Sequence, residues 1–254
     1  MYEHLVLKEQ GRLVEVHLNR PQVRHALSRA LMREITAVAR ALSERTDIDV
    51  VILTGDMRCF SAGADLNDAQ AWADDSLSTV QRRDIAGTGF RMCKAWEEMP
   101  QITIAAIEGY AVGGGLALSL ACDWRVLAQD AFVSLPEIAL GIPLTWGTIP
   151  RLVNLLGPAK AKRLTILCER IAAPEALSLG LVDYVSERGQ ALIRAQALAA
   201  QTLAQPAATM RMSKESVNAA ATVLNHATSY MAHDQIALAA SSPESRAARD
   251  QALR

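Results

Sequence analysis

The segment Gly109–Asp123, GYAVGGGLALSLACD, sets three consecutive glycines at the head of an apolar run and follows directly on an apolar, β-branched stretch, ITIAAIEG. Read together, these two segments are a buried strand, a tight turn and the start of a helix. The run from Ala111 to Cys122 is far shorter than the roughly 20 residues that cross a bilayer, so it belongs to a protein core. Other short strand patterns are LVLK, LVEVHL, DVVILTG, WRVLA and LVDYV, with period-2 or continuous apolar character. Helical periodicity lies between them. SRALMREITAVARALSE offers Ser28 as a cap and repeats apolar residues at Leu31, Ile35, Val38 and Leu42, and VQRRDIAGTGFRMCKAWEEM stops at Pro100. Strand and helix thus alternate through the first two-thirds, the pattern of parallel strands joined by crossovers. Beyond Pro143 the chain reads helical, over 148–156, 158–168, 174–180, 190–205 and 206–240. The expectation is an α/β core over 1–195 and a helical C-terminal region over 196–254.

Half of the 254 residues are hydrophobic and 21% are charged, with a net charge of −1. Such a chain can bury a large core, and its mixed charge gives no footprint for nucleic acid or an anionic membrane surface. The charged start, MYEHLVLKEQGRL, lacks the apolar centre of a secretory signal, so a cytoplasmic location is expected. Cys59, Cys93, Cys122 and Cys168 are too dispersed for a zinc site, a redox motif or a disulfide framework. No metal is expected. GTGFRM at Gly87–Met92 lacks the last glycine of a dinucleotide fingerprint and sits in a helical pattern. Signatures of nucleotide-binding loops, zinc proteases and serine hydrolases are absent from the sequence. The five histidines lie toward the two ends of the chain and read as surface or packing residues.

Two glycine-containing turns remain, in VVILTGDMRCFSAGADL and ITIAAIEGYAVGGGLAL. Each follows a buried strand. A turn of this kind exposes unpaired backbone N–H groups, and glycine lets a ligand approach them. Two facing turns would offer two donors to one oxygen, as an oxyanion hole requires; the ordinary alternative is that the glycines only permit tight turns and close packing. One acid draws attention. Glu137 follows Pro136 among Leu135, Ile138, Ala139 and Leu140, where desolvation would raise its pKa toward the range useful for proton transfer. A surface turn residue or a salt-bridge partner is the alternative.

Taken in order, LNRPQVRHALS, FSAGADL, AAIEGYAVGGGLALSLACD and LPEIALGIP resemble the enoyl-CoA hydratase/isomerase, or crotonase, family from about Leu5 to Arg246. The resemblance implies a crotonase-like α/β spiral of ββα units, a helical C-terminal trimerisation region, and a homotrimer or dimer of trimers. It implies acyl-CoA substrates, with coenzyme A present as part of the substrate thioester and no separate cofactor. By motif position the amides of Ala64 and Gly114 would hold the thioester oxygen, and the helix starting at the glycines would add its positive end. Arg24, Ala26, Ala62, Asp65, Leu66 and Asn67 would form the coenzyme A and pantetheine wall. Asp65 and Asp123 also read as turn or helix-end residues.

The chain departs from the family's hydratases. They carry one glutamate two residues after the third glycine and a second in the LPE segment; here the first position is Ala117 and the second is Glu137. Where their glycine-rich turn borders the water site, this chain has Thr145 and Trp146. His25 stands where asparagine is usual after the Arg-Pro pair. A single carboxylate in a narrowed, drier site resembles the Δ3,Δ2-enoyl-CoA isomerases, which shuttle one proton between C2 and C4. Hydration by one glutamate, acyl-CoA hydrolysis or lysis, and non-catalytic acyl-CoA binding remain alternatives on the same fold.

Overall fold

In the computed structural model, residues 2–69, 76–223, 225, 229 and 232–252 are described. The six strand patterns read from the sequence all join one sheet. β1 (Leu5–Gln10) and β2 (Leu13–Leu18) pair antiparallel, and β3 (Val50–Thr54), β4 (Ile102–Ile107), β6 (Trp124–Ala128) and β9 (Tyr184–Ser186) continue from β2 in parallel. Three shorter strands escape the sequence reading: β5 (Tyr110–Val112), β7 (Phe132–Ser134) and β8 (Ile171–Ala172) form a second sheet.

Alternation along the central strands fills two cores. Val14, Val16, Val51, Leu53, Ala105 and Ile107 face one side, against Leu31, Ile35 and Val38 of α1 (Arg29–Ser43) and, past the small α2 (Leu66–Ala69) and α3 (Thr79–Ala86), Met92 and Trp96 of α4 (Thr88–Glu97). Leu116 and Leu118 of α5 (Gly114–Ser119) complete that side. The opposite face, with Val50, Ile52, Ile104 and Ala106, is covered by Ala191, Ala195, Leu198 and Ala199. Both faces are therefore dry, as parallel sheets require.

Ser28 caps α1 as expected, accepting from the N–H of Leu31 at 3.2 Å. The second helical pattern divides at Gly87 into α3 and α4, and Ser78 and Gln81 cap α3 reciprocally. After α5 come α6 (Thr148–Leu156), α7 (Pro158–Leu167), α8 (Ala173–Leu179), α9 (Ala191–Leu203), α10 (Ala207–Ala221), α11 (Ala232–Ser241) and α12 (Pro243–Ala252). The single helix expected over 206–240 is broken: α10 ends at Ala221 and residues 222 and 223 are a turn. Thr222 and Val223 supply the β-branched pair that weakens helical continuation there. Positions 224, 226–228, 230 and 231 of that expected helix, with His226, lie outside the described residues. No helix among the described residues is long and apolar enough to cross a membrane.

Ion pairs fasten α10 to the sheet. Lys214 on α10 donates to the carbonyl of Gln101 at 2.6 Å and to the Asp123 carboxylate at 2.7 Å, while Asp123 also accepts from the N–H and hydroxyl of Thr103 at 2.7 and 3.0 Å. Asp123 is thus a docking residue at the start of β6. Arg211 reaches Asp49 at 2.9 Å beside it.

Candidate active site

An isolated parallel bridge, Ser61 with Ala111, joins the segments that carry the two glycine turns, and a second, Leu27 with Ala64, ties the first of them to the loop before α1. In the first turn Leu27 donates to the Gly63 carbonyl and Asp65 donates to the Leu27 carbonyl, at 2.7 and 3.2 Å. The N–H of Ala64, between them, is passed over. In the second, Gly113 donates to Ser134 at 2.9 Å, and the first bond of α5 is Ala117 to Gly113, also at 2.9 Å. The N–H of Gly114 comes ahead of that ladder and likewise has no acceptor among the described residues. The two turns touch: a Cβ on Gly63 would fall 3.3 Å from the Gly114 nitrogen.

Ala62, Ala64, Leu66, Gly114, Ala117 and Glu137 line one cavity of about 110 Å³ between these turns. Glu137 is its only ionisable lining residue among those described. Pro136 and the short 3₁₀ turn Ile138–Leu140 place the carboxyl over Gly113, where an added Cβ would lie 2.7 Å from Oε1. Gly113 has φ +54°. Only glycine tolerates both that backbone and that neighbour. Oε2 of Glu137 is buried without a hydrogen-bond partner. Burial pushes the carboxyl up to about 7, against a small opposing effect of its own backbone N–H.

The remaining expected wall residues divide. Ala62 and Leu66 line the cavity; Arg24, Ala26, Asp65 and Asn67 do not. They sit on the adjoining loops, where the N–H of Ala62 donates to the Arg24 carbonyl at 3.0 Å. Asp65 is engaged locally, pairing with Arg20 at 2.9 Å and accepting from the N–H of Asn67 at 3.2 Å. The expected positive helix end shrinks to its first amides, because α5 has six residues and a macrodipole needs several aligned turns.

Trp146 occupies the cavity wall beside Ala117 and is only 6% exposed. Its indole spans two glycines: a Cβ on Gly114 would meet Cζ3 at 2.3 Å, and a Cβ on Gly89 would meet Cε2 at 2.0 Å. Sequence reasoning missed Gly89. Its one signal was a glycine inside a helical pattern, which costs about 1 kcal/mol against alanine and therefore calls for a packing reason.

The described residues contain one group with ligand-type atoms close together, His25, Asp56 and Cys59, within 4.8 Å of one another. His25 Nδ1 accepts from the N–H of Arg20 at 3.1 Å, which leaves the ring proton on Nε2, 3.3 Å from Asp56. A proton, not a lone pair, points into the group. His25 is 1% exposed, and burial holds its pKa below the usual value. Cys59, Cys93 and Cys122 are buried free thiols, and burial raises Cys93 and Cys122 to about 12. They are packing residues.

Two unpaired amides and one desolvated carboxyl facing a small apolar cavity repeat the order of motifs along the chain, and a family model for enoyl-CoA hydratase/isomerase matches residues 8–248. The chain belongs to the enoyl-CoA hydratase/isomerase family. It is 32% identical over 218 residues to the crotonyl-CoA hydratase of Syntrophomonas wolfei, covering 85% of this chain and 82% of that one. It is 30% identical over 216 residues to the short-chain-enoyl-CoA hydratase of Clostridium acetobutylicum, covering 85% and 81%. Among solved structures, an enoyl-CoA hydratase from Bacillus anthracis superposes with a TM-score of 0.81 at 31% identity over 93% of this chain and 90% of that one. An enoyl-CoA hydratase/isomerase from Mycobacterium paratuberculosis gives 0.87 over 98% of both chains at 22% identity, a likeness of fold. The α/β core and helical C-terminal part of this family member are those of the crotonase fold.

Proposed function

We propose that this family member moves a double bond within an unsaturated acyl-CoA, converting a 3-enoyl thioester to its 2-enoyl isomer with Glu137 as the single proton carrier. The observation that carries the reading is that Glu137 is the one ionisable side chain lining the cavity among the described residues, opposite two amides without acceptors among them. In this reading the thioester oxygen lies between the N–H groups of Ala64 and Gly114. Glu137 takes a proton from C2, and the electron pair moves into the thioester, leaving a dienolate whose oxygen the two amides stabilise. The carboxyl returns the proton to C4 and the double bond closes between C2 and C3. A group that must accept and then give back one proton works best with a pKa near neutrality, where burial holds Glu137. Ala117 offers no second base, and Trp146 keeps water from C3. Arg24, Ala26, Ala62, Asp65, Leu66 and Asn67 are the proposed coenzyme A and pantetheine wall, and the cytoplasm is the proposed setting.

Hydration by Glu137 alone is the second reading, favoured by the hydratase names of the relatives. Supplying 3-enoyl-CoA and 2-enoyl-CoA separately in deuterated buffer distinguishes the two. The expected result is 2-enoyl-CoA from the 3-enoyl substrate, with part of the original hydrogen carried to C4 and little 3-hydroxyacyl-CoA. Rapid formation of 3-hydroxyacyl-CoA from 2-enoyl-CoA would establish the hydratase reading instead.

We also propose a trimer or a pair of trimers. Ile149 and Val153 on α6 and Ile166 and Leu167 on α7 are exposed apolar side chains, a surface suited to burial between copies. Light scattering on the full chain should return three or six chain masses, and a monomer would exclude this assembly.

A further inference from the structure

Gly89 stands inside α4, where glycine is among the least favoured residues, and the space a side chain would need is taken by another residue's ring. A Cβ there would fall 2.0 Å from Cε2 and 2.2 Å from Nε1 of Trp146; on Gly114 it would fall 2.3 Å from Cζ3 and 2.6 Å from Cη2. The indole therefore fills a slot between α4 and α5 that is open because each helix presents a glycine. Its loop is built to keep it there. Trp146 has φ +57° and Gly147 φ +70°, and a bulky residue holds that backbone only when its surroundings fix it. The Trp146 carbonyl accepts from Arg151 at 2.8 Å, and both carboxylate oxygens of Glu97 hold Arg151 at 2.8 and 2.7 Å. Arg151 is 6% exposed. Because Glu97 lies on α4, one helix provides the seat for the ring and, through Arg151, the brace for its backbone.

We infer that this assembly sets the length of acyl group the protein takes: Trp146 closes the cavity toward α4, and the substrates are thioesters of short acyl chains. The inference rests on the cavity being the acyl site and is indifferent to which reaction follows there. The cavity, about 110 Å³, is well below the 300–1,000 Å³ of pockets that enclose drug-sized ligands. Leu140, Ile142 and Leu144 complete an apolar lining that suits a hydrocarbon. Gly89 is the position that permits the stop, and Arg151 and Glu97 are positioning residues that act through Trp146.

The test is calorimetric binding of butyryl-CoA and decanoyl-CoA, saturated thioesters with no double bond to move or hydrate, to the full chain. The unmodified protein should bind butyryl-CoA at least about tenfold more tightly, within the range that hydrophobic pockets achieve on chain size. Trp146→Ala should shift the ratio of the two affinities toward decanoyl-CoA by at least about tenfold. Trp146→Phe, which keeps a ring in the slot if the alanine variant does not fold, should shift the ratio less in the same direction. Glu97→Gln should shift it slightly by loosening the brace. Equal binding of the two thioesters by the unmodified protein, or an unchanged ratio in the folded Trp146 variants, would overturn the inference. A failed isomerase reading would appear instead as 3-hydroxyacyl product, with the binding ratio unaffected.

Discussion

Replacing Glu137 with glutamine should lower turnover by about 10²- to 10⁴-fold, the range a positioned acid–base group supplies, with acyl-CoA affinity little changed. Glutamine keeps the size and one oxygen but cannot accept the proton. Stability gives an independent readout. Burial pushes the carboxyl up to about 7 in the folded chain, above the usual carboxylate range, so at intermediate pH the unfolded chain gives up a proton that the folded chain keeps. Stability is unaffected by this group below about pH 4.5, falls as pH rises toward 7, and is lowest above it, by at most roughly 3–4 kcal/mol. Glu137→Gln should therefore melt higher than the unmodified protein at pH 8, with a gain that shrinks toward pH 5. The kcat/KM of the unmodified protein should rise through about pH 7 as the carboxyl ionises. Full activity in the variant, or the same melting difference at both pH values, would remove Glu137 from the proposed role.

Deleting the N–H of Gly114 should cost about 10²- to 10³-fold in turnover, the loss typical of one oxyanion donor. Ordinary substitutions cannot make that measurement. An alanine Cβ would come 2.3 Å from the Trp146 ring, and a proline would add the same atom, so either would displace the wall along with the donor. Incorporating glycolic acid at position 114 replaces the N–H with an ester oxygen and adds no bulk. The expected variant has an unchanged circular dichroism spectrum, retains acyl-CoA binding and is slow in the proton-transfer step. Unimpaired turnover would show that the thioester oxygen is held elsewhere.

The main sheet was legible because its central strands β3 and β4 are apolar on both faces and its strands are set off by polar or helical segments. β5, β7 and β8 were not, since strands of two or three residues are too short to display a period. Yet β5 and β7 position the second glycine turn: Gly113 donates to Ser134, the last residue of β7. The apolar neighbours of Glu137 suggested a desolvated carboxyl but left a surface-turn or salt-bridge residue open, and it is the buried, unpartnered Oε2 that the sequence could not display. The contact between Gly89 and Trp146 joins residues far apart in sequence, and no local pattern encodes it. The turn at 222–223 contains neither glycine nor proline, so the helical pattern appeared to run on. His25 was read as a substitution in a motif; its buried ring and the hydrogen bond from Arg20 depend on a loop whose Arg24 and His25 both have positive φ.

Ile236 of α11 reaches the cavity wall, and α12 lies over the turn after Glu137, where a Cβ on Gly141 would fall 2.5 Å from the Cα of Ser245. Chains begin to fold from the N-terminal end while they are being made. The main sheet, both glycine turns and Glu137 emerge before either of these helices. A chain at that stage still lacks both the Ile236 wall and the cover over the 138–141 turn. Helices α11 and α12 therefore add the Ile236 wall and the cover over the 138–141 turn to a sheet, a pair of glycine turns and a carboxyl that precede them along the chain.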